Sequence, residues 1–328
     1  MKQAIPWLNH QRSTSERLSE VFAEAARNPI RIDRSSKIIF FSDCHRGDNS
    51  WADNFAPNQI LLFHALNYYF EQSYTYIEVG DGDELWENRD FASIRRAHDH
   101  IFWRLGEFHK QQRLYMLWGN HDIERQDPTI VRKQLHQYRD DRTGIWRDLL
   151  PDLRMYEGLV LEYEHPNQRI FVVHGHQGSA VNDQYWWFGR LAVRYFWSRL
   201  QAFGVKDPTR PSQDMSKIRD VERKIMAWIK EHDNQMVICG HTHRPVFPEV
   251  EQTPYFNIGC CVHPRFITGI EIDQGTICLV KWWIDSDIKR PREFGQMFVT
   301  RQEIRPAQNL AAYFGVSLQQ LTADPIRV

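Results

Sequence analysis

Short apolar runs alternate with longer stretches of helical spacing through the first third of the chain. The run Lys37-Ile-Ile-Phe-Phe-Ser42 has no polar break before Asp43, the pattern of a strand buried on both faces. Residues 74–79 and 113–118 read as two further strands, ending at Gly80-Asp81 and at Gly119-Asn120-His121-Asp122. Apolar spacing predicts a helix over 58–72 and another from about Phe91 to Lys110, and residues 11–27 read as a helix with one polar face. Strands and helices in this alternation predict parallel βαβ units, whose ligands gather at the carboxyl ends of the strands. A second set of strands is predicted over 155–163, 169–173 (ending at His174), 235–239 (ending at Gly240-His241), 255–258, 266–272 and 276–284. The tail after about Thr300 reads as peripheral.

Composition narrows this picture. With 328 residues, 42% hydrophobic and 25% charged, the chain has the make-up of an ordinary globular protein with enough length for one large domain or two small ones. The expected division is an N-terminal helical extension (1–30), a main domain (31–300) with a helical insertion at about 178–234, and a C-terminal tail (301–328). A formal net charge of -1 supplies no global field for nucleic acid, so no nucleic-acid partner is expected and any anionic ligand has to be held locally. The N-terminus lacks a signal-peptide apolar core, and no run approaches the roughly 18 apolar residues of a membrane span. The expected location is therefore cytoplasmic. Five cysteines, an odd count without CxxC spacing, suggest neither a disulfide framework nor a cysteine zinc site; most read as small buried strand residues.

The chemistry is concentrated where strands end. Asp43-Cys44-His45, Gly80-Asp81, Gly119-Asn120-His121-Asp122, His174-Gly175-His176 and Gly240-His241-Thr242-His243 all follow predicted strands. Carboxylate oxygen and imidazole nitrogen without thiolate suit ions such as Mn, Fe or Zn. Together these segments offer ligands for two ions, and a shared Asp can bridge a pair about 3.5–4 Å apart. Glycine in the motifs lets backbone approach the ions without a side-chain clash.

In this order the motifs DxH, GD, GNH[DE], H and GHxH resemble those of the calcineurin-like metallophosphoesterase superfamily, from about Lys37 to Trp283. The resemblance implies an α/β fold, a two-sheet β sandwich flanked by helices (α/β/β/α), here with a helical insertion. It implies two divalent metal ions, Mn first with Fe, Zn or Ni as alternatives. The first ion would be held by Asp43, His45, Asp81 and His243, the second by Asp81, Asn120, His174 and His241, with Asp81 as the bridge. A metal-bridging hydroxide would attack a phosphoester or pyrophosphate, His121 would assist the leaving group, and Asp122 would orient that imidazole. Asn120 and Arg46 would touch the substrate phosphate.

Within the superfamily the layout through Gly240-His241-Thr242-His243-Arg244-Pro245 is similar to UDP-2,3-diacylglucosamine hydrolases, although the chain carries His121 and His176 where that group has Arg and Asp. The partner expected is a phosphorylated small-molecule or lipid-linked substrate, with peripheral membrane contact compatible. A serine/threonine protein phosphatase and a non-catalytic scaffold of the same fold are the alternatives.

Other residues have plainer readings. Asp83 and Glu84 read as loop acids bonded to nearby amides. His98 and His100, two apart on a helix, point to different faces and read as solvated. His176 reads as a neighbour of the site. Residues 184–203 carry aromatics around most of a helix, with Arg190 and Arg194 on one face; they read as a hairpin packed on the core, a lid over the metals, or a membrane-surface helix.

Overall fold

The computed structural model describes residues 12–88, 90–178, 215–285 and 298–315. In chain order the described elements begin with α1 (Thr14–Ala25), β1 (Ile30–Ile32), β2 (Ile38–Phe41), α2 (Gln59–Glu71), β3 (Thr75–Val79), α3 (Phe91–Ala97), α4 (Asp99–Lys110), β4 (Leu114–Leu117) and α5 (Pro128–Val131). They continue with β5 (Gln137–Arg139), β6 (Trp146–Asp148), β7 (Met155–Tyr156), β8 (Gly158–Tyr163), β9 (Arg169–Val173) and α6 (Met215–Glu231). The last are β10 (Met236–Cys239), β11 (Tyr255–Asn257), β12 (Phe266–Asp273), β13 (Thr276–Asp285) and β14 (Phe298–Asn309).

Two sheets carry the fold: seven strands in the order β14-β13-β12-β2-β3-β4-β7, and five in the order β1-β8-β9-β10-β11. Alternation along each strand sorts its side chains into layers. In β2, Ile39 and Phe41 face a core completed by α2 and α4, whereas Ile38 and Phe40 face Leu161, Val172 and Ile238 of the other sheet. The outer face of the five-stranded sheet, with Val160, Phe171 and Val237, is covered by Leu18 and Val21 of α1 and Ile225 and Trp228 of α6. The layers are therefore helix, sheet, sheet, helix, as expected from the resemblance. No helix of the described residues is long and apolar enough to cross a membrane.

Local sequence explains why α1 starts where it does. Ser13 accepts from Glu16 N at 3.2 Å, and its own amide donates to the Glu16 carboxylate at 2.7 Å, a reciprocal cap contributing about 0.5–2 kcal/mol.

Four elements differ from expectation. The helix foreseen over 91–110 is two helices broken at His98, which is fully buried and bonds Asp53 Oδ2 at 3.0 Å through Nε2. A solvated His98 is thereby corrected: the ring is a packed joint against Phe55. The strand foreseen over 155–163 is split between the sheets, Met155–Tyr156 pairing with β4 and Gly158–Tyr163 with β9 and β1. The stretch after Thr300, expected to be peripheral, is tied into the fold as far as residue 315, because β14 pairs with β13 from Asp285↔Phe298 to Thr276↔Asn309. Leu310 and Ala311 beyond it join the inter-sheet core. All five cysteines are free and buried, and Cys44, Cys260 and Cys261 lie in loops rather than strands. The aromatic segment 184–203 lies outside the described residues.

Candidate metal centre

Strands β2, β3 and β4 run parallel in one sheet, and β9 and β10 run parallel in the other. Their carboxyl ends meet. His174 Nδ1 donates to the Val79 carbonyl at 2.8 Å, and His241 N donates to Asp43 Oδ2 at 2.9 Å, so each sheet fixes groups at the other's strand ends. The loops turn inward through left-handed backbone at Asp43 (φ 53), His45 (φ 47), Asp81 (φ 50), His241 (φ 68) and His243 (φ 58). Such values are uncommon outside glycine and store strain that the surrounding structure has to hold.

Three overlapping clusters result: Asp43, His45 and His243; His45, Asp81 and His121; and Asp81, His174 and His241, with ligand atoms in each within 4.8 Å of one another. Six of the seven predicted ligands fall in the first and third clusters, and Asn120 lies beside them with a buried Oδ1 that has no hydrogen-bond partner. The site fits divalent cations on three further observations. Asp43 Oδ1 lies 3.0 Å from His243 Nε2, and His174 Nε2 lies 3.2 Å from Asp81 Oδ2, yet neither Asp43 Oδ1 nor His174 Nε2 has an aligned hydrogen bond. His45 Nε2 faces His243 Nε2 at 3.2 Å, an approach of two imidazole nitrogens that a cation between them satisfies. Because His174 donates from Nδ1, its Nε2 lone pair is left for a ligand.

Charge points the same way. Burial works to raise the carboxyls of Asp43 and Asp81, but the histidines around them outweigh it and hold both far below the ordinary carboxylate range. Burial opposes charge on His174 and His243 as well, yet Asp81 and Asp43 raise both to about 9. His241, desolvated by burial and beside His174, is pushed down to about 3. Protons on His174 and His243 thus take the part of cations in the metal-free site.

Glu84 has a role that the sequence reading missed. Its carboxylate accepts from His121 Nδ1 at 2.8 Å and lies 3.0 Å from His45 Nδ1, so it is far more than an amide-bonded loop acid. Burial works to raise Glu84, but His121 and His45 outweigh it and keep the carboxyl well below its usual range. Trp86 stacks on His121, the ring centroids 4.5 Å apart and the planes 21° from parallel. The signal was present in the spacing: an acid three residues beyond Asp81.

Asp122 is corrected in turn. Its oxygens accept from Gly119 N at 2.7 Å and Gly82 N at 3.0 Å, so it fastens two motif loops and leaves the His121 imidazole to Glu84. Burial raises its carboxyl to about 6. Arg46 is corrected too: it is fully buried and bound to Glu78 and Asp83, out of reach of a substrate. Asp83 accordingly binds a guanidinium, where an amide-bonded loop acid was expected. His176 is buried with its ring 5.4 Å from that of His174 and joins none of the three clusters. Asn257 is a second group the sequence reading did not assign; its amide donates to the Gly240 carbonyl at 2.7 Å and reaches Thr242 Oγ1 at 3.1 Å, holding the Gly240–His243 turn. Gly119 is required by close approach, since a Cβ there would run into Asp81 Oδ1. A cleft of about 130 Å³ opens beside His45 and Glu84, with Asp48, Asp53 and Glu87 among its lining.

Comparison with known proteins adds the following. The family model described as the calcineurin-like phosphoesterase superfamily domain matches residues 37–279. No curated protein matches the chain. Among solved structures, a predicted phosphoesterase of Streptococcus pneumoniae TIGR4 is 14% identical, with 81% of this chain and 98% of that one covered and a TM-score of 0.34. Vacuolar protein sorting 29 from Cryptosporidium parvum is 11% identical, with 83% and 98% covered and a TM-score of 0.33. The cold-active protein-tyrosine phosphatase of a psychrophilic Shewanella is 12% identical, with 76% and 79% covered and a TM-score of 0.38. At these identities and scores the structural likenesses carry no weight for the chemistry.

Proposed function

The chain belongs to the calcineurin-like phosphoesterase superfamily, and on that premise we propose that it hydrolyses a phosphoester or pyrophosphate bond with two divalent metal ions. The observation that carries this reading is a set of three ligand clusters linked in series through His45 and Asp81, with Asp43 Oδ1, Asn120 Oδ1 and His174 Nε2 buried without hydrogen-bond partners. Asp43, His45, Asp81 and His243 would hold one ion; Asp81, Asn120, His174 and His241 would hold the other. When bound, the ions supply positive charge to the phosphoryl oxygens and lower the pKa of a water so that it attacks at neutral pH.

The chain's own residues do the rest. His121 donates from Nδ1 to Glu84, which leaves Nε2 to pass a proton to the departing oxygen as the phosphorus–oxygen bond breaks. Glu84 stabilises the charged imidazole before that transfer, and Trp86 fixes the ring plane. The left-handed turns at Asp43, His45 and Asp81 bring their ligand atoms together without long, flexible arms. Manganese is the ion of first choice, with iron, zinc and nickel accepted by the same donors. The substrate is a phosphorylated small molecule, a lipid-linked one included.

The test is turnover of p-nitrophenyl phosphate, its bis-ester and a nucleotide-sugar pyrophosphate by Mn-loaded protein. Hydrolysis of at least one is expected. Two bound Mn with no turnover on any of the three would sink the catalytic reading, and less than one equivalent of metal after loading would favour a scaffold.

A further inference from the structure

Beneath the proposed metal floor lies a buried group of charges. Arg46 donates from Nη1 and Nη2 to Glu78 at 2.6 and 2.8 Å and from Nε to Asp83 Oδ1 at 2.7 Å. The other oxygen of Asp83 lies 2.5 Å from Arg125 Nη1, which is also 3.8 Å from Asp122 Oδ2. Tyr76 donates its hydroxyl to Glu78 at 2.8 Å. All five charged side chains are buried. The rings of Phe102 and Phe91 lie against the two guanidiniums, 5.2 and 5.0 Å from Arg46 and Arg125, and help seal the group from solvent.

The position of each member is informative. Arg46 follows His45 on the loop after β2, Asp83 is two residues beyond Asp81 on the loop after β3, and Arg125 stands on the turn after Asn120 and His121. Main chain reinforces the first two loops: Arg46 N donates to the Gly82 carbonyl, and Glu84 N to the Arg46 carbonyl, both at 3.0 Å. Desolvating several charges is costly, and an apolar cluster of similar volume generally serves stability as well or better. Ion pairs differ from an apolar cluster in being directional: Arg46 fixes Glu78 and Asp83 through aligned hydrogen bonds, whereas Arg125 holds the other oxygen of Asp83 by charge and proximity without an aligned bond.

Resting on the hydrolase reading above, we infer that Asp83, clamped between Arg46 and Arg125, is a positioning residue. It sets the spacing of the three loops that present Asp43 and His45, Asp81, and Asn120 and His121. Asp83 touches neither substrate nor metal in this role. It acts through the loops.

The experiment uses the full chain loaded with Mn and the variants Asp83→Asn and Arg46→Lys. Asp83→Asn keeps the shape and removes the charge; Arg46→Lys keeps the charge and removes the fork. In each folded variant, Mn per chain is measured after desalting, the exchange-coupled signal of the Mn pair is followed by electron paramagnetic resonance, and kcat and KM are measured on the best substrate of the wild type. Expected are a loss of about 10–100-fold in metal affinity and kcat, a weakened pair signal, and a KM within about twofold. A folded variant that keeps both ions, the coupled signal and wild-type kcat would overturn the positioning role. Failure of both variants to fold would also overturn it, in favour of a purely structural network. A wild type that binds no metal or turns over no substrate would instead sink the hydrolase reading itself.

Discussion

The two sheets meet at one site but hold their contributions by different forces. Loops after β2, β3 and β4 are braced by buried charge: Arg46, Asp83, Arg125 and the Glu84 carboxylate on two imidazoles. Loops after β9 and β10 are braced by hydrogen bonds to main-chain carbonyls, from Asn257 to Gly240 and from His174 to Val79. Moreover, the second pair of loops leans on the first, since both the Val79 carbonyl and the Asp43 carboxylate belong to the charged half. The contrast teaches that the two halves are braced by different means yet fixed in position jointly, through bonds that cross between the sheets.

Proton chemistry is also assigned to the charged half, and the hardest test of the comparison is there. His121→Ala should cut kcat by roughly 10²–10⁴-fold while both ions stay bound, read by steady-state kinetics and metal analysis on the same sample. Unchanged activity would remove His121 from its role and leave the charged half with ligation alone.

A smaller effect sharpens how the halves are coupled. His174 and His243, both from loops of the five-stranded sheet, are raised to about 9 chiefly by Asp81 and Asp43 of the seven-stranded sheet's loops, acting against burial. A raised histidine stabilises the fold fully below its unfolded value, about 6.5, and that stability is lost as pH rises through the folded value. Chelated protein should therefore lose on the order of 5 °C in Tm between about pH 6.5 and 9, whereas Mn-loaded protein should not. Metal affinity should climb over the same range, because protons and metal compete for the same nitrogens. A flat Tm in chelator would show that the two halves are not coupled through these charges.

The smallest effect is expected from the neutral brace. Asn257→Ala leaves the Gly240 carbonyl without its donor and should cost about 1–3 kcal/mol of stability in a denaturant titration, with kcat reduced far less than by His121→Ala. A loss of activity equal to that of His121→Ala would place the two halves on the same footing.

What the sequence disclosed follows the same division. Strand ends and the candidate ligands clustered there were legible because an apolar run that stops at Asp or His is a local pattern. The brace was not, because Arg46 next to a metal motif looks like an exposed phosphate contact until its partners are known. A clue was available in Glu78, an acid inside the otherwise packed run of β3, which needs a buried cation somewhere. The break at His98 likewise depends on Asp53, 45 residues earlier, and helical spacing cannot report so distant a partner. Tyr156 and Gly158 continue one extended pattern while pairing in different sheets, a change of neighbours that period alone does not reveal.

The bond from His241 N to Asp43 Oδ2 spans 198 positions of sequence. A chain emerging from the ribosome carries Asp43, Asp81 and Asn120 long before His241 and His243 exist, so the unfinished polypeptide has half a site and no means of completing it. Contacts of such long range are among the last to form. Under the proposed ligation, an arrested or truncated product ending before β10 lacks His241 and His243 and is expected to be inert.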